Sequence, residues 1–364
     1  MYLRLKHSAS DPSKSARQPH RPTLSRRVYD TLVVQNMATF DWQYGGQPGP
    51  IKFVDCHQFE YAATRAANGD HLAGIMINLY LNGIGRLVVP AHGGVCQYSI
   101  GLQWNNRNTS ISLAGQAVAM QALAVGAQLR RRATMLNIGL GIHRFVRVNA
   151  RRMGLHAPAA ASLDVFHAEA APMLRDTAWY ATALHQFALA YEVRRLRQDA
   201  DEMFDAIVAV LDQAVPTTHF VGMTAPKLRL DEAVAVLAAY AYFAADRAET
   251  DSLRTAATQI CEIAPRHAQP HGGYSQVPDA EPDSDLPVDI DCTIDLVRAC
   301  MCVLQHIPER RLECIVNHGK RALFDPAIAL ARRPESGILL VVEAAAKIPP
   351  APNVAIEDAA FSPA

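Results

Sequence analysis

From Thr23 onward, hydrophobic positions recur at helical spacing, and they do so in two textures that alternate along the chain. The stretches 111–127, 177–191, 230–244 and 293–304 are apolar nearly all round, which a helix tolerates only when it is buried on every side. Each is followed by a helix with one wet face: 135–148, 203–215, 253–263 and 312–323. In the third of these, Leu253, Ala256, Ala257, Ile260 and Ile263 keep the helical period, while Asp251, Arg254, Thr255 and Glu262 hold the opposite side. Further helices fit 56–67 and 71–81, with 24–38 at one end of the chain and 337–347 at the other.

A buried helix, a short turn and a half-exposed helix, repeating at roughly 55 to 65 residues, predict hairpins arranged as an inner and an outer ring. The fold expected is all-α: an (α/α)6 toroid of six helical hairpins, closed where the two chain ends meet, with a short β-hairpin at one mouth. Loop lengths give the ring a polarity. Turns from inner to outer helix are short (130–133, 198–201, 307–308), whereas the returns are long (40–55, 83–110, 154–175, 216–229 and 265–291). In an antiparallel ring the long returns share one end, and long loops on a rigid scaffold are where binding and catalysis concentrate. That mouth is the expected site.

Lys plus Arg equals Asp plus Glu, at 35 each, so no global field favours nucleic acid or an anionic membrane. The nearly uninterrupted apolar stretch 233–245 is far shorter than the roughly 20 residues a spanning helix needs. Residues 1–27 carry seven Lys or Arg against one Asp, with Ser and Pro but no periodic apolar face, and read as a flexible basic tail. Residues 28–350 form the single toroid domain and 351–364 a C-terminal tail. The first thirty residues lack the apolar segment of a secretory signal, and seven cysteines without a CxxC pair fit a reducing, cytoplasmic setting. Arg130, Arg131, Arg132, Arg144, Arg147, Arg151 and Arg152 crowd one outer hairpin and read as a solvated face.

Two of the long loops carry recognisable motifs. Phe40-Asp41-Trp42-Gln43-Tyr44-Gly45-Gly46, followed by Gly49 and Lys52-Phe53, resembles the FDxxYGG...G..KF stretch of the YyaL-type proteins, also called spermatogenesis-associated, thioredoxin-domain-containing proteins. Gly93-Gly94-Val95-Cys96-Gln97-Tyr98-Ser99, with Trp104 beyond it, resembles that family's GGFHRYSVDxxW. The resemblance covers residues 31–127 and implies a helical part like that of six-hairpin glycosidases. The chain departs from the pattern at Cys96 and Gln97, where the family has His and Arg, and at Gly101, where it has Asp. Residues 107–112 stand where the family has PHFEKM, and the family's thioredoxin-like domain has no counterpart.

Candidate chemistry gathers in these loops. Asp279, Glu281, Asp283, Asp285, Asp289 and Asp291 form an acidic run after His271-Gly272-Gly273-Tyr274-Ser275. Clustered carboxylates raise one another's pKa and supply the acid and base that glycoside hydrolysis needs. Asp41 facing Asp289 or Asp291 across the ring is the catalytic pair to test. Tyr44, Lys52, Tyr98, Trp104, His219, His271 and Tyr274 are the candidate substrate contacts, with Lys227 near His219. For Asp289 and Asp291 the competing role is to cap the helix that follows, and for Tyr98 and Trp104 an aromatic clasp that holds the hairpin down. No cofactor or metal is expected, since the acidic spacing matches no calcium loop and no HExxH, Walker, GxSxG or dinucleotide motif occurs.

The expected function is to bind or process a carbohydrate-like small molecule. One alternative is a catalytically silent relative, a binding or assembly partner of another protein, whose cavity Trp104, Tyr98 and the hairpin would fill. Another rests on Asp289-Ile290-Asp291-Cys292, which is similar to the DxDD motif of class II terpene cyclases, toroids that protonate an alkene with the middle Asp.

Overall fold

Helix starts in this chain are written locally, by short polar side chains that take up the free amides of the first turn. Ser25, Asp55, Asp70 and Ser112 accept from the amides of Val28, Gln58, Ala73 and Gly115. Asp289, Glu309 and Asp325 do the same for Cys292, Arg311 and Ala327. A computed structural model describes residues 22–150, 174–211, 229–247, 250–276, 278, 288–331 and 336–345. Its helices are α1 (Arg26–Ala38), α2 (Cys56–Ala67), α3 (His71–Leu87), α4 (Leu113–Leu129), α5 (Ala133–Ala150), α6 (Leu174–Tyr191) and α7 (Arg194–Leu211). The second half adds α8 (Leu230–Arg247), α9 (Thr250–Ile263), α10 (Ile290–Leu304), α11 (Arg310–Leu323), α12 (Pro326–Ala329) and α13 (Ser336–Ala345).

α2, α4, α6, α8 and α10 pack each against the next, and α13 touches both α10 and α2, closing an inner ring. α3, α5, α7, α9 and α11 back them as outer partners. The sixth hairpin joins the two ends of the chain: α1 lies on α13, and the Tyr29 hydroxyl donates to Glu343 Oε1 at 3.0 Å. The (α/α)6 toroid expected from the alternation is the architecture present. Alanines and glycines let its walls approach closely. Gly139 on α5 is one such point, where an added Cβ would come within 2.1 Å of the Phe187 ring on α6.

Two boundaries differ from the pattern. The turn expected at 198–201 falls at Glu192–Val193, where Glu192 adopts φ +59, and α7 starts at Arg194. The run 194–201 looks like a loop because it is charged, yet Leu196 and Ala200 are buried, and the equally buried Asp199 binds His143 Nε2 at 2.8 Å. Likewise α3 runs through Gly83 to Leu87 instead of ending near 81. Gly83 is where the Trp104 ring lies on the helix, so close that an added Cβ would stand 2.6 Å from it.

Because inner and outer helices alternate, the described return segments lie at the N-terminal ends of the inner helices. The short β element there is a two-stranded antiparallel sheet of β1 (Ile51–Lys52) and β2 (Ser99–Ile100), strands contributed by successive return loops, with Ile51 opposite Ile100 and Lys52 opposite Ser99. Two His-Gly-Gly turns repeat on opposite sides of the ring. His92-Gly93-Gly94 precedes α4 and rests on α5 at Gly141 and Phe145; His271-Gly272-Gly273 precedes α10 and rests on α11 at His318 and Ala322. Gly93, Gly272 and Gly273 all have positive φ, so both backbone freedom and the lack of a side chain are used.

Candidate functional site

The loop residues singled out by the sequence hold the mouth together. Asp41 accepts from the amides of Gln43 and Tyr44 and, through Oδ2, from Lys52 Nζ at 2.6 Å. The Lys52 amine also donates to the carbonyl of Gln47 at 2.8 Å, and the residue is fully buried. Burial pushes the Asp41 carboxyl up, but these donors more than offset it and leave the group below its ordinary value. Trp104 is 1% exposed and its indole N–H donates to the carbonyl of Tyr44 at 2.8 Å, so it ties the second return loop to the first. Tyr44 and Tyr98 are half-buried.

On the other side of the ring, Asp289 caps α10 through Oδ1 and accepts from Gln276 Nε2 through Oδ2. Asp291, in the first turn of the helix, is exposed, as is His271. Tyr274 is fully buried and its hydroxyl donates to the carbonyl of Ile315 at 2.9 Å. His219, Lys227 and the carboxylates at 279, 281, 283 and 285 lie outside the described residues. Thus Asp41 with Lys52, and Asp289 with Gln276, serve separate local networks, and no contact brings Asp41 together with Asp289 or Asp291 among the described residues.

The concave site lies on the axis of the ring. A cavity of about 400 Å³ is walled by side chains from all six inner helices, and none of the described loop residues named above lines it. Volumes of roughly 300–1,000 Å³ are usual for small-molecule sites. α2 contributes Cys56, His57 and Glu60; α4 contributes Gln121; α6 Trp179 and Gln186; α8 Tyr242; α10 Asp295, Arg298 and Cys302; α13 Ala344. Apolar residues such as Val118, Val234, Ala238 and Met301 fill the wall between them. Tyr242 is 40% exposed although it stands on an inner helix, because it opens onto this cavity.

Two pairs face each other across the seam that α13 fills. His57 and Glu60 stand three residues apart on α2, and Asp295 and Arg298 three apart on α10, so each pair occupies one helix face. His57 Nε2 lies 3.0 Å from Asp295 Oδ1. Arg298 donates to Glu60 Oε2, and the Gln121 amide donates to Glu60 Oε1. With Asp295 accepting at Nε2, the neutral imidazole carries its proton there, leaving Nδ1, on the side of the ring toward Gly337 of α13, unprotonated.

The electrostatics separate the groups by role. Burial opposes charge on His57, but the hydrogen bond and charge of Asp295 outweigh it and hold the imidazole above its usual value. Burial by itself raises Asp295, but the His57 bond and the His57 and Arg298 charges bring it below the usual carboxylate value. Asp295 is therefore an ionised orienting group. Burial pushes the Tyr242 phenol up to about 12, with Glu60 adding to the effect. Burial and the neighbouring Glu60 and Asp55 charges raise the Cys56 thiol well above its ordinary value, so it stays protonated and is no nucleophile at neutral pH. Among the described residues no group of three His, Cys, Asp or Glu is placed to hold a metal ion.

No protein-family model and no curated protein matches the sequence. Solved structures do match the fold. A cellobiose 2-epimerase from Spirochaeta thermophila superposes with a TM-score of 0.66 at 13% identity, covering 89% of this chain and 97% of that one. A glycoside hydrolase family 76 mannosidase from Bacteroides thetaiotaomicron gives 0.62 at 10% identity over 88% and 97% of the two chains. An unsaturated glucuronyl hydrolase from Streptococcus agalactiae gives 0.60 at 9% identity over 91% and 95%. The chain thus shares the (α/α)6 toroid fold of these structures.

Proposed function

We propose that this protein is a carbohydrate-processing toroid whose axial cavity takes a small sugar and moves a proton on it with His57. The observation that carries the reading is the His57–Asp295 pair opening onto a cavity built by every inner helix. An imidazole poised somewhat above its ordinary value exchanges a proton in either direction near neutral pH, which is the requirement for a general acid–base. Glu60, Arg298, Gln121 and Gln186 supply the directional polar contacts that orient hydroxyl groups, and Trp179 and Tyr242 supply aromatic surface.

Proton transfer fits this cavity better than hydrolysis by a pair of carboxyls. Hydrolysis of that kind needs one carboxylic acid with a raised pKa; Asp295 is lowered, and Glu60 is engaged as an acceptor from Arg298 and Gln121. The reaction class is therefore epimerisation or isomerisation, in which a proton leaves and returns at a carbon beside a carbonyl. The family likeness of residues 40–53 and 93–104 to YyaL-type proteins belongs to this reading as a feature of the mouth, not of the cavity. The silent-relative alternative requires Trp104 and Tyr98 to fill the centre, and neither borders the cavity. Alkene protonation by the Asp289–Asp291 segment has no support either, since Asp289 is committed to its cap and Asp291 stands outside the cavity wall.

The test is exchange. Reducing mono- and disaccharides are incubated with the protein in D2O, and deuterium at the carbon beside the carbonyl is followed by NMR. Wild type is expected to exchange at least one sugar, and His57→Gln to lose roughly 10²- to 10⁴-fold in rate. Exchange undiminished in His57→Gln, or glycoside cleavage without exchange, overturns the assignment.

A further inference from the structure

α2 and α10 carry the two halves of the His57–Asp295 pair, yet they are not neighbours in the ring; α13 lies between them. The pair therefore spans the front of α13, and the depth at which His57 lies is set by what α13 presents behind it. At that point α13 has Gly337. A Cβ added there would stand 3.1 Å from His57 Nδ1 and 2.7 Å from Ile294 Cδ1. Glycine is a poor helix former, and an otherwise apolar helix such as α13 gains from alanine at most positions. Two side chains close on the bare backbone at 337, Ile294 most tightly and the imidazole next to it.

We propose that Gly337 is a positioning residue for His57: the bare backbone at this point of α13 lets the imidazole sit back into hydrogen-bond register with Asp295. The last helix of the ring, which joins the two ends of the chain by packing on α1, thereby sets the geometry of the group that handles the proton. A methyl at 337 pushes the ring at Nδ1 toward the cavity and draws Nε2 away from Asp295. Its effect runs through that bond, because among the described residues the charges that act on His57 are Asp295 and Arg298 from α10 and Glu60 from its own helix. This rests on the reading of His57 as the proton-transfer group, but its first readout needs no substrate.

The experiment is the NMR titration of His57 in the full chain, assigned with His57→Gln, for wild type, Gly337→Ala and Gly337→Ala/Ile294→Val. The double variant removes the Cδ1 that the new methyl meets first, so the contacts that remain are those at 3.1 Å, to His57 Nδ1 and to the Cγ2 methyl that valine keeps. The expected result is a fall of about one unit in the His57 midpoint in both variants, as the opposite charge moves off. In an Asp295→Asn background the same Gly337→Ala change should have no further effect. On a sugar that wild type exchanges, kcat should fall by roughly tenfold or more with KM little changed. An unchanged midpoint in the folded double variant, or an equal shift in the Asp295→Asn background, overturns the inference. If no sugar exchanges while the midpoint still shifts, the proton-transfer reading falls and the positioning role stands.

Discussion

A carboxylate and an imidazole at 3.0 Å can be told apart by what pH does to each. His57 has a folded pKa above its unfolded value of about 6.5, so its contribution to stability is complete below that pH and is lost as pH rises through the folded value. Asp295 is the reverse: lowered in the fold, it stabilises above about 3.9 and loses that contribution as pH falls through the lowered value. Replacing Asp295 by Asn removes the charge and weakens the bond, leaving the Glu60 charge as what still opposes burial. The His57 midpoint should then drop below its ordinary value, and the alkaline-rising limb of any exchange rate should move to lower pH with it; a limb that stays in place argues against the pair. Lys52 offers a different residue-scale test. Its ammonium is fully buried with Asp41 as its anion, and removing one partner of such a pair typically costs about 3–5 kcal/mol. Asp41→Ala should therefore lower the denaturation midpoint markedly while the surviving folded protein still binds sugar, a result that separates a loop-holding role from a catalytic one.

At the scale of elements, the mouth is a set of loops locked to helix faces by glycine. Gly83 lies within α3 where the Trp104 ring meets the helix, and Gly83→Ala should cost about 1–3 kcal/mol by overpacking, readable as a lower urea midpoint at unchanged m-value. The His-Gly-Gly turns behave alike on opposite sides of the ring. Gly93 stands at φ +82 with an added Cβ 2.9 Å from the Gly141 carbonyl oxygen, and Gly272 at φ +106 with one 2.8 Å from Arg321 Cβ. A turn that needs positive φ leaves its mark in a single residue type, and both turns carry that mark as paired glycines. The start of α7 was not legible. Its first two turns are written in charged residues that pair with side chains of α5 and α8, as Asp199 does with His143 and Arg197 with Asp246, and only the packed neighbour reveals that such a face is helical.

For the molecule as a whole, closure is what makes the cavity. α13 completes the inner wall and α1 backs it, so a chain ended after residue 331 should lose its single cooperative unfolding transition and expose apolar surface to a dye such as ANS. A truncated chain that still unfolds in one sharp transition would show that five hairpins suffice and that ring closure adds little. Ligand binding in the intact ring should raise the midpoint, by about 2.7 kcal/mol of added stability at a hundredfold excess over Kd.

The alternation of greasy and one-sided helices determined the toroid, and the loop lengths its polarity, because burial on all sides or on one side is a property each helix records in its own period. The cavity chemistry was recorded only as exceptions within that pattern. His57 with Glu60, and Asp295 with Arg298, are pairs of polar residues three apart on helices otherwise fit for the core. That spacing places each pair on one face, but it does not by itself distinguish a cavity wall from a solvated surface. No local pattern states that the two faces turn toward the same axis, that α13 stands behind them, or that Gly337 leaves room for the imidazole. Those relations join residues more than two hundred positions apart, and only the closing of the ring brings them within hydrogen-bond reach.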